Sequence, residues 1–154
     1  MLLDVKCAFL YGYVKRDIYI ELPPEDAAYK SGMVGKLVKA MYGTRDAPLI
    51  WQETVEANMQ SLGFLPSKLH PSVYFHRERG LRVLAHVDDF MCTGSHSQLK
   101  WLYDELSKDY ELKSKMIGEM DGLEKEGSFL NRIVRWTETG IEFERGCQAC
   151  SHSS

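Results

Sequence analysis

A chain of 154 residues with 44% hydrophobic and 27% charged side chains fits one globular domain and can bury a core without disulfide staples. Its formal net charge of −3 argues against a strongly basic nucleic-acid module, although a basic groove can exist under such a total. The start carries Asp4 and Lys6 where a signal peptide needs an apolar core, and no stretch is long and apolar enough for a membrane span. The scattered cysteines favour a reduced, intracellular protein.

The first half of the chain predicts short strands and one helix. Residues 1–9 are apolar around one acid, which is typical of a buried strand, and a chain that starts inside a strand is expected to be truncated at its N-terminus. Residues 17–22 and 36–41 indicate two short strands separated by a polar loop. A helix is predicted from Pro48 to Gly63, with these apolar residues at helical spacing: Trp51, Val55, Met59 and Leu62.

The second half predicts an antiparallel arrangement with a second helix. Residues 72–75 and 81–87 predict a hairpin, and a strand at 90–93 follows Asp88 and Asp89. Ser95 or Ser97 caps a helix whose apolar face is Leu99, Leu102, Leu106 and Tyr110. Strands are predicted at 111–113, 129–136 and 141–143, and a frayed tail at 145–154. The order predicts an α+β fold with two helices on one face of an antiparallel sheet.

The pair Asp88 and Asp89 lies inside an otherwise apolar stretch, residues 83–91. Adjacent carboxylates in such a stretch repel each other and lose hydration, so they favour a compensating cation. The alternative is a plain solvent-exposed turn. The apolar flanks on both sides favour the functional interpretation.

Asp4 is a second acid in a second apolar strand. If the two strands are neighbours, its carboxylate converges with that of Asp88. Carboxylates at strand ends are typical ligands of Mg²⁺, and two such ions can activate a 3′-hydroxyl and stabilise a leaving pyrophosphate. The residue types and their spacing alone do not specify the reaction further.

Four blocks resemble the Ty1/copia-type reverse transcriptase domain. They read LDVKCAFL at residues 3–10, IYIELPP at 18–24, LVKAMYGTRDAPLIW at 37–51 and HVDD at 86–89. The corresponding family patterns are LDVKTAFLNG, IYMEQPPG, LKKALYGLKQAPRAW and YVDD. Each block is weak alone, but the ordered set from residue 2 to 143 is specific.

The resemblance implies a reverse-transcriptase palm with part of the fingers over residues 1–144, and a divergent tail at 145–154. It implies that Asp4, Asp88 and Asp89 are the catalytic and metal-binding acids for two Mg²⁺ ions, with Mn²⁺ as a substitute. Asp4 and Asp88 are the principal metal ligands in this resemblance, and Asp89 is the third acid. It assigns the nucleotide pocket to Phe9, Tyr42, Gly43 and Arg45, and the primer contacts to His86, Val87, Phe129 and Leu130. For Phe9 the alternative is a core aromatic, for Arg45 a solvated charge; Trp51 is assigned to the helix core.

The partners implied by the resemblance are an RNA or DNA template with its primer, dNTPs, and the fingers and RNase H segments of a parent polyprotein. No membrane is implied, and the location is a cytoplasmic particle or the nucleus. We expect the isolated chain to polymerise weakly or not at all.

The sequence also departs from the family pattern. His86 replaces a Tyr, Asp46 a Gln and Asn131 a Gly, and the tail contains Cys147, Cys150 and His152, which hint at zinc without a fourth ligand. These departures favour a second hypothesis, an inactive transposon-derived remnant that serves at most as an interaction module. A metal-dependent phosphohydrolase using the same acids is a third.

Overall fold

A computed structural model describes residues 1–145, which fall into two compact units. One unit contains Met1–Lys6 together with the described residues from Pro66 onward, and the other is Cys7–Leu65. Within residues 1–145, no helix is long and apolar enough to cross a membrane. The mixture of helices with antiparallel strands confirms the α+β class.

The strands of the described chain are β1 (Leu2–Val5), β2 (Tyr19–Glu21), β3 (Val34–Lys36), β4 (Leu65–Pro66), β5 (Val73–His76), β6 (Leu81–His86), β7 (Asp89–Thr93), β8 (Leu112–Lys115), β9 (Glu126–Phe129), β10 (Arg132–Thr137) and β11 (Gly140–Arg145). The helices are α1 (Ala47–Ser61) and α2 (His96–Leu106), with short 3₁₀ helices at Ala8–Tyr11 and Tyr29–Ser31.

The first unit is built on a large sheet with the strand order β4-β5-β6-β7-β1-β8. The pairs β5–β6, β6–β7, β7–β1 and β1–β8 are all antiparallel. Because side chains alternate between the faces of a strand, one face collects apolar residues that are at most 2% exposed. They are Leu3, Val5, Tyr74, Leu81, Val83, Phe90 and Cys92.

Helix α2 packs on this apolar face, as the helical spacing predicted. Its buried residues are Leu99, Leu102 and Leu106. The ring of Trp101 meets His76, which pairs with Leu81, edge-on at 5.9 Å. Ser95 occupies the predicted N-cap position in an extended conformation, but its side chain makes no capping hydrogen bond and its Oγ lies 3.4 Å from that of Ser97.

The opposite face of the large sheet is partly covered by a second sheet with the order β11-β10-β9. Their shared core contains Leu2, Phe129 and Val134, with Leu84, Met91 and Ile117 packed against it. The single strand predicted at 129–136 is wrong, because the chain reverses within it. Leu130 and Asn131 have φ angles of 50° and 58°, and two consecutive positive values are typical of a tight two-residue hairpin turn.

The second unit is organised by α1. Pro48 lies in the first turn of this helix, and Trp51, Val55 and Met59 are buried, which confirms the predicted helix and the core position of Trp51. Gly12 lets the backbone approach the helix closely, since a Cβ there would lie 2.4 Å from Cγ2 of Ile50. The prediction of two helices on one sheet face stays a prediction for α1.

Two strand boundaries in the first 41 residues were predicted wrongly. β1 stops at Val5 rather than continuing to residue 9, because Cys7 takes a φ of 51° and a 3₁₀ helix follows. The strand predicted at 36–41 lies instead at Val34–Lys36. There Gly35 pairs with Ile20, and a Cβ on Gly35 would lie 3.0 Å from Cδ2 of Leu22, so a larger residue would require this leucine side chain to shift.

Candidate catalytic acids

Two of the three predicted acids face each other across the centre of the large sheet. Asp4 on β1 pairs directly with Asp89 on β7. Side chains of directly opposed residues lie on the same face, with Cβ atoms about 4.5–5.5 Å apart. The same cross-strand row continues to His86 on β6 and to Lys113 on β8.

The third acid, Asp88, lies in the two-residue turn that joins β6 to β7. Val87, the first residue of this turn, has a φ of 52°, an unfavourable value for a β-branched side chain. The backbone N–H of Val5 donates to the carbonyl oxygen of Asp88 at 2.8 Å. The turn is therefore tied to the strand that carries Asp4.

Apolar neighbours hold the acid row in place. Leu3 and Phe90, which flank Asp4 and Asp89 in sequence, pair with each other on the opposite face and are 2% and 0% exposed. Alternation along the two strands then leaves the acids on the other face, where both are half-buried. The apolar residues that flank the acids in the sequence therefore form the buried layer on the other face of the two strands.

The row carries uncompensated negative charge around Asp89. Burial raises the pKa of its carboxyl, the charges of Asp88 and Asp4 raise that pKa further, and His86 opposes the shift. Asp4 has a cationic neighbour, because Nζ of Lys113 lies 3.6 Å from its Oδ2. The pair is solvent-accessible, with the two side chains 68% and 42% exposed.

The raised pKa of Asp89 predicts a pH-dependent effect of replacing it. The folded chain binds this proton more tightly than the unfolded chain, so ionised Asp89 lowers the free energy of unfolding at pH 7. We expect Asp89→Asn to raise that free energy by about 0.5 kcal/mol at pH 7 in EDTA, a small gain because the carboxylate is screened by solvent. The gain should vanish as pH falls through the raised pKa and below the ordinary value of 3.8.

Urea unfolding at several pH values measures this difference. Asp121→Asn, at an exposed acid in the same unit, serves as the matched control and should show no such gain. A loss of stability in the Asp89 variant at pH 7 would contradict the expected electrostatic strain.

The donor set fits Mg²⁺ as a pair of carboxylates rather than as a cage. Within residues 1–145, no group of three or more His, Cys, Asp or Glu side chains is arranged to hold a metal ion. Mg²⁺, however, is commonly bound through one or two carboxylates and completes its shell with water and substrate phosphates. Asp4 and Asp89 meet that requirement, and the excess negative charge beside them would favour a divalent ion.

The residues predicted to bind the nucleotide lie in the second unit. The rings of Phe9 and Tyr42 stack at a tilt, with centroids 4.5 Å apart. Phe9 also packs against Ala40, Ala47 and Ile50, so it contributes to the core of that unit. Gly43 has a φ of 89°, which gives glycine a conformational role at this turn, and Arg45 is exposed.

The residues predicted to contact the primer occupy the ends of two hairpins. His86 and Val87 are exposed at the β6–β7 turn, and Leu130 is 42% exposed at the β9–β10 turn. Phe129 is buried in the core between the two sheets, at 6% exposure. Their roles remain predictions, and Phe129 in addition has a clear structural function.

Two departures from the family pattern have local explanations. Asp46 forms an ion pair with Arg16, so its added negative charge is balanced within the second unit. Asn131 occupies a position with positive φ, a conformation that asparagine tolerates better than most residues. Cys147, Cys150 and His152 lie outside the described residues.

Sequence reasoning missed Lys113 as a neighbour of the acids. The strand at 111–113 was predicted, but its pairing with β1 depends on a contact between residues that are far apart in the chain. No local pattern signals that register. The polar residues of β8 indicate only that the strand is largely exposed.

Comparisons with known proteins identify the family of the chain. A family model described as reverse transcriptase (RNA-dependent DNA polymerase) matches residues 1–124. The chain is 37% identical over 116 residues to a retrovirus-related Pol polyprotein from transposon TNT 1-94 of Nicotiana tabacum, which covers 72% of this chain and 9% of that protein. It is 34% identical over 119 residues to the Pol polyprotein from transposon RE1 of Arabidopsis thaliana, covering 72% of this chain and 8% of that protein.

A yeast relative shows the same similarity on a shorter protein. The transposon Ty5-1 protein of Saccharomyces cerevisiae is 28% identical over 126 residues, covering 77% of this chain and 39% of that protein. The chain thus spans less than half the length of each of these relatives. On the family model and these matches, the chain belongs to the reverse transcriptase family, in the form found in Ty1/copia-type retrotransposons.

Proposed function

We propose that this chain carries the catalytic acids of an RNA-directed DNA polymerase, which extends a primer with dNTPs by two-metal nucleotidyl transfer. The observation that carries the proposal is the direct pairing of Asp4 with Asp89 on one sheet face, beside the turn that contains Asp88. These acids come from two separate blocks of the family pattern. In this proposal the first unit supplies the palm, and part of the second supplies the fingers.

The role of the chain in the reaction is positioning. The β1–β7 pairing and the Val5–Asp88 hydrogen bond fix the acids relative to one another, so little reorganisation is needed when charge accumulates. The resemblance makes Asp88 a principal ligand, but the strand pairing puts Asp89 directly opposite Asp4. Asp4 and Asp89 would therefore hold the metal, with Asp88 as the third acid. When bound, two Mg²⁺ ions activate the primer 3′-hydroxyl and stabilise the departing pyrophosphate.

The nucleotide and primer contacts follow the family resemblance. Phe9, stacked on Tyr42, would form an aromatic wall against the sugar of the dNTP, and the exposed Arg45 would meet phosphate. His86, Val87 and Leu130, at the tips of their hairpins, would touch the primer end. A template RNA or DNA, and further segments of a parent polyprotein in a cytoplasmic particle or the nucleus, complete the proposed assembly.

Primer extension on an RNA template tests the proposal. With the chain in excess over a labelled DNA primer, four dNTPs and Mg²⁺, we expect slow extension that EDTA abolishes and Mn²⁺ restores. Slow extension is expected because the relatives carry this region as a small part of much longer proteins. Extension that survives EDTA would contradict the metal mechanism, and robust extension would contradict the expected weakness.

The second candidate is a catalytically inactive remnant that serves at most as an interaction module. The replacement of the family's Tyr by His86, directly opposite Asp89, favours it. A chimera separates the two, in which residues 1–124 replace the matching region of the tobacco polyprotein. Polymerase activity of the chimera supports the first candidate, and an inactive but folded chimera supports the second.

A further inference from the structure

Lys113 stands at the end of the acid row as a fixed neighbour of Asp4. The β1–β8 register places the two residues directly opposite each other. The ammonium nitrogen lies 3.6 Å from Oδ2 of Asp4. The two side chains therefore form an ion pair.

Two other basic side chains lie near the acid row, Lys6 and His86. Lys6, which follows β1 in a turn, forms an ion pair with Glu111. His86 lies at the other end of the row, opposite Asp89. Lys113 thus places a positive charge beside Asp4, at the end of the row away from His86.

We propose that Lys113 is a built-in counter-ion of Asp4, which competes with the divalent cation for this carboxylate and thereby lowers the metal affinity of the site. This inference rests on the proposed function. The ion pair is suited to such competition, because it is long and solvent-accessible and therefore weak. The lysine can neutralise Asp4 before a metal binds and can then swing into solvent.

The expected effect follows from the charges. A divalent ion held by Asp4 would lie a few ångströms from the ammonium group, and their repulsion is partly screened by water and salt. Replacing Lys113 with methionine keeps the apolar stem and removes the charge. We expect Lys113→Met to tighten Mn²⁺ binding about five-fold, a repulsion of the size expected between close charges in high-dielectric surroundings.

The test measures Mn²⁺ affinity by the loss of its free electron paramagnetic resonance signal, in the absence of nucleotide and nucleic acid. The matched control is Lys115→Met on the same strand face, where the lysine pairs with Leu2 instead of an acid. Lys113→Arg retains the charge and should restore wild-type affinity. Mn²⁺ binding that is lost in Asp4→Asn is binding at this site.

The outcomes separate this inference from the proposed function. Tighter binding by Lys113→Met, with wild-type affinity in Lys115→Met and Lys113→Arg, supports the competition. Binding that Asp4→Asn removes, but that is equal in both methionine variants or weaker in Lys113→Met, overturns it and leaves the proposed function standing. If the wild-type chain binds no Mn²⁺ that depends on Asp4, both proposals fail.

Discussion

Replacing Asp4 with asparagine is expected to reduce Mg²⁺-dependent primer extension at least about 100-fold, the scale seen when one preorganised charge-stabilising group is removed. The substitution keeps the size of the side chain and removes a charged metal ligand. Asp89, directly across the strand pair, would remain but could not replace it. The rate of extension under enzyme excess is the measurement.

The Asp4 variant is informative only if it is folded and if the loss is specific. Asp121→Asn is the matched control, because it removes an exposed acid of the same unit outside the sheet. It should extend primers at the wild-type rate. Equal extension by Asp4→Asn and Asp121→Asn would exclude Asp4 from the reaction.

Phe90→Ala is expected to lower the free energy of unfolding by about 3–5 kcal/mol, the usual cost of deleting a buried phenylalanine. Phe90 is 0% exposed and pairs with Leu3 beneath the acids. Because small domains are stable by only about 5–15 kcal/mol, this single change should remove much of the stability of the sheet.

Urea denaturation compares this variant with Phe143→Ala, the same change at a side chain that is 53% exposed on β11. The control should lose less than about 1 kcal/mol, since surface changes are mostly small. Similar losses in the two variants would show that the core beneath the acid row does not stabilise the sheet as described.

The elements with a clear local period were predictable from the sequence. Helix α2 follows from the spacing of Leu99, Leu102 and Leu106, and the β5–β6 hairpin from two β-rich runs around Gly80. The turn at Asp88 was also visible, because two acids interrupt an apolar run. In each case the residues that form the pattern are close together in the sequence, within one helix or one hairpin.

Two of the wrong predictions concern turns that begin at Leu130 and Cys7, residue types that rarely take a positive φ. The β9–β10 hairpin turns at Leu130 and Asn131, both with positive φ, where a glycine would have signalled the reversal. Likewise, Cys7 ends β1 in a left-handed conformation inside a stretch that remains apolar. Composition alone gives no sign of either turn.

The acids of the candidate site could be predicted from the sequence, but the strand pairing that brings them together could not. Asp4 and Asp89 could be named from their apolar surroundings and the family pattern, but whether they share a face depends on the pairing of β1 with β7 across the chain. The position of Lys113 beside Asp4 depends on the β1–β8 pairing in the same way. Such registers are set by long-range packing, so one sequence does not reveal them.

Iron-directed backbone cleavage tests the central claim most directly. Fe²⁺ is added in place of Mg²⁺, and ascorbate with peroxide generates radicals that cut the chain close to the bound ion. We expect two groups of cuts, one around Asp4 and one around the turn at Asp88 and Asp89, and both should disappear with excess Mg²⁺. Cuts confined to one of these segments, or unaffected by Mg²⁺, would contradict a shared metal site.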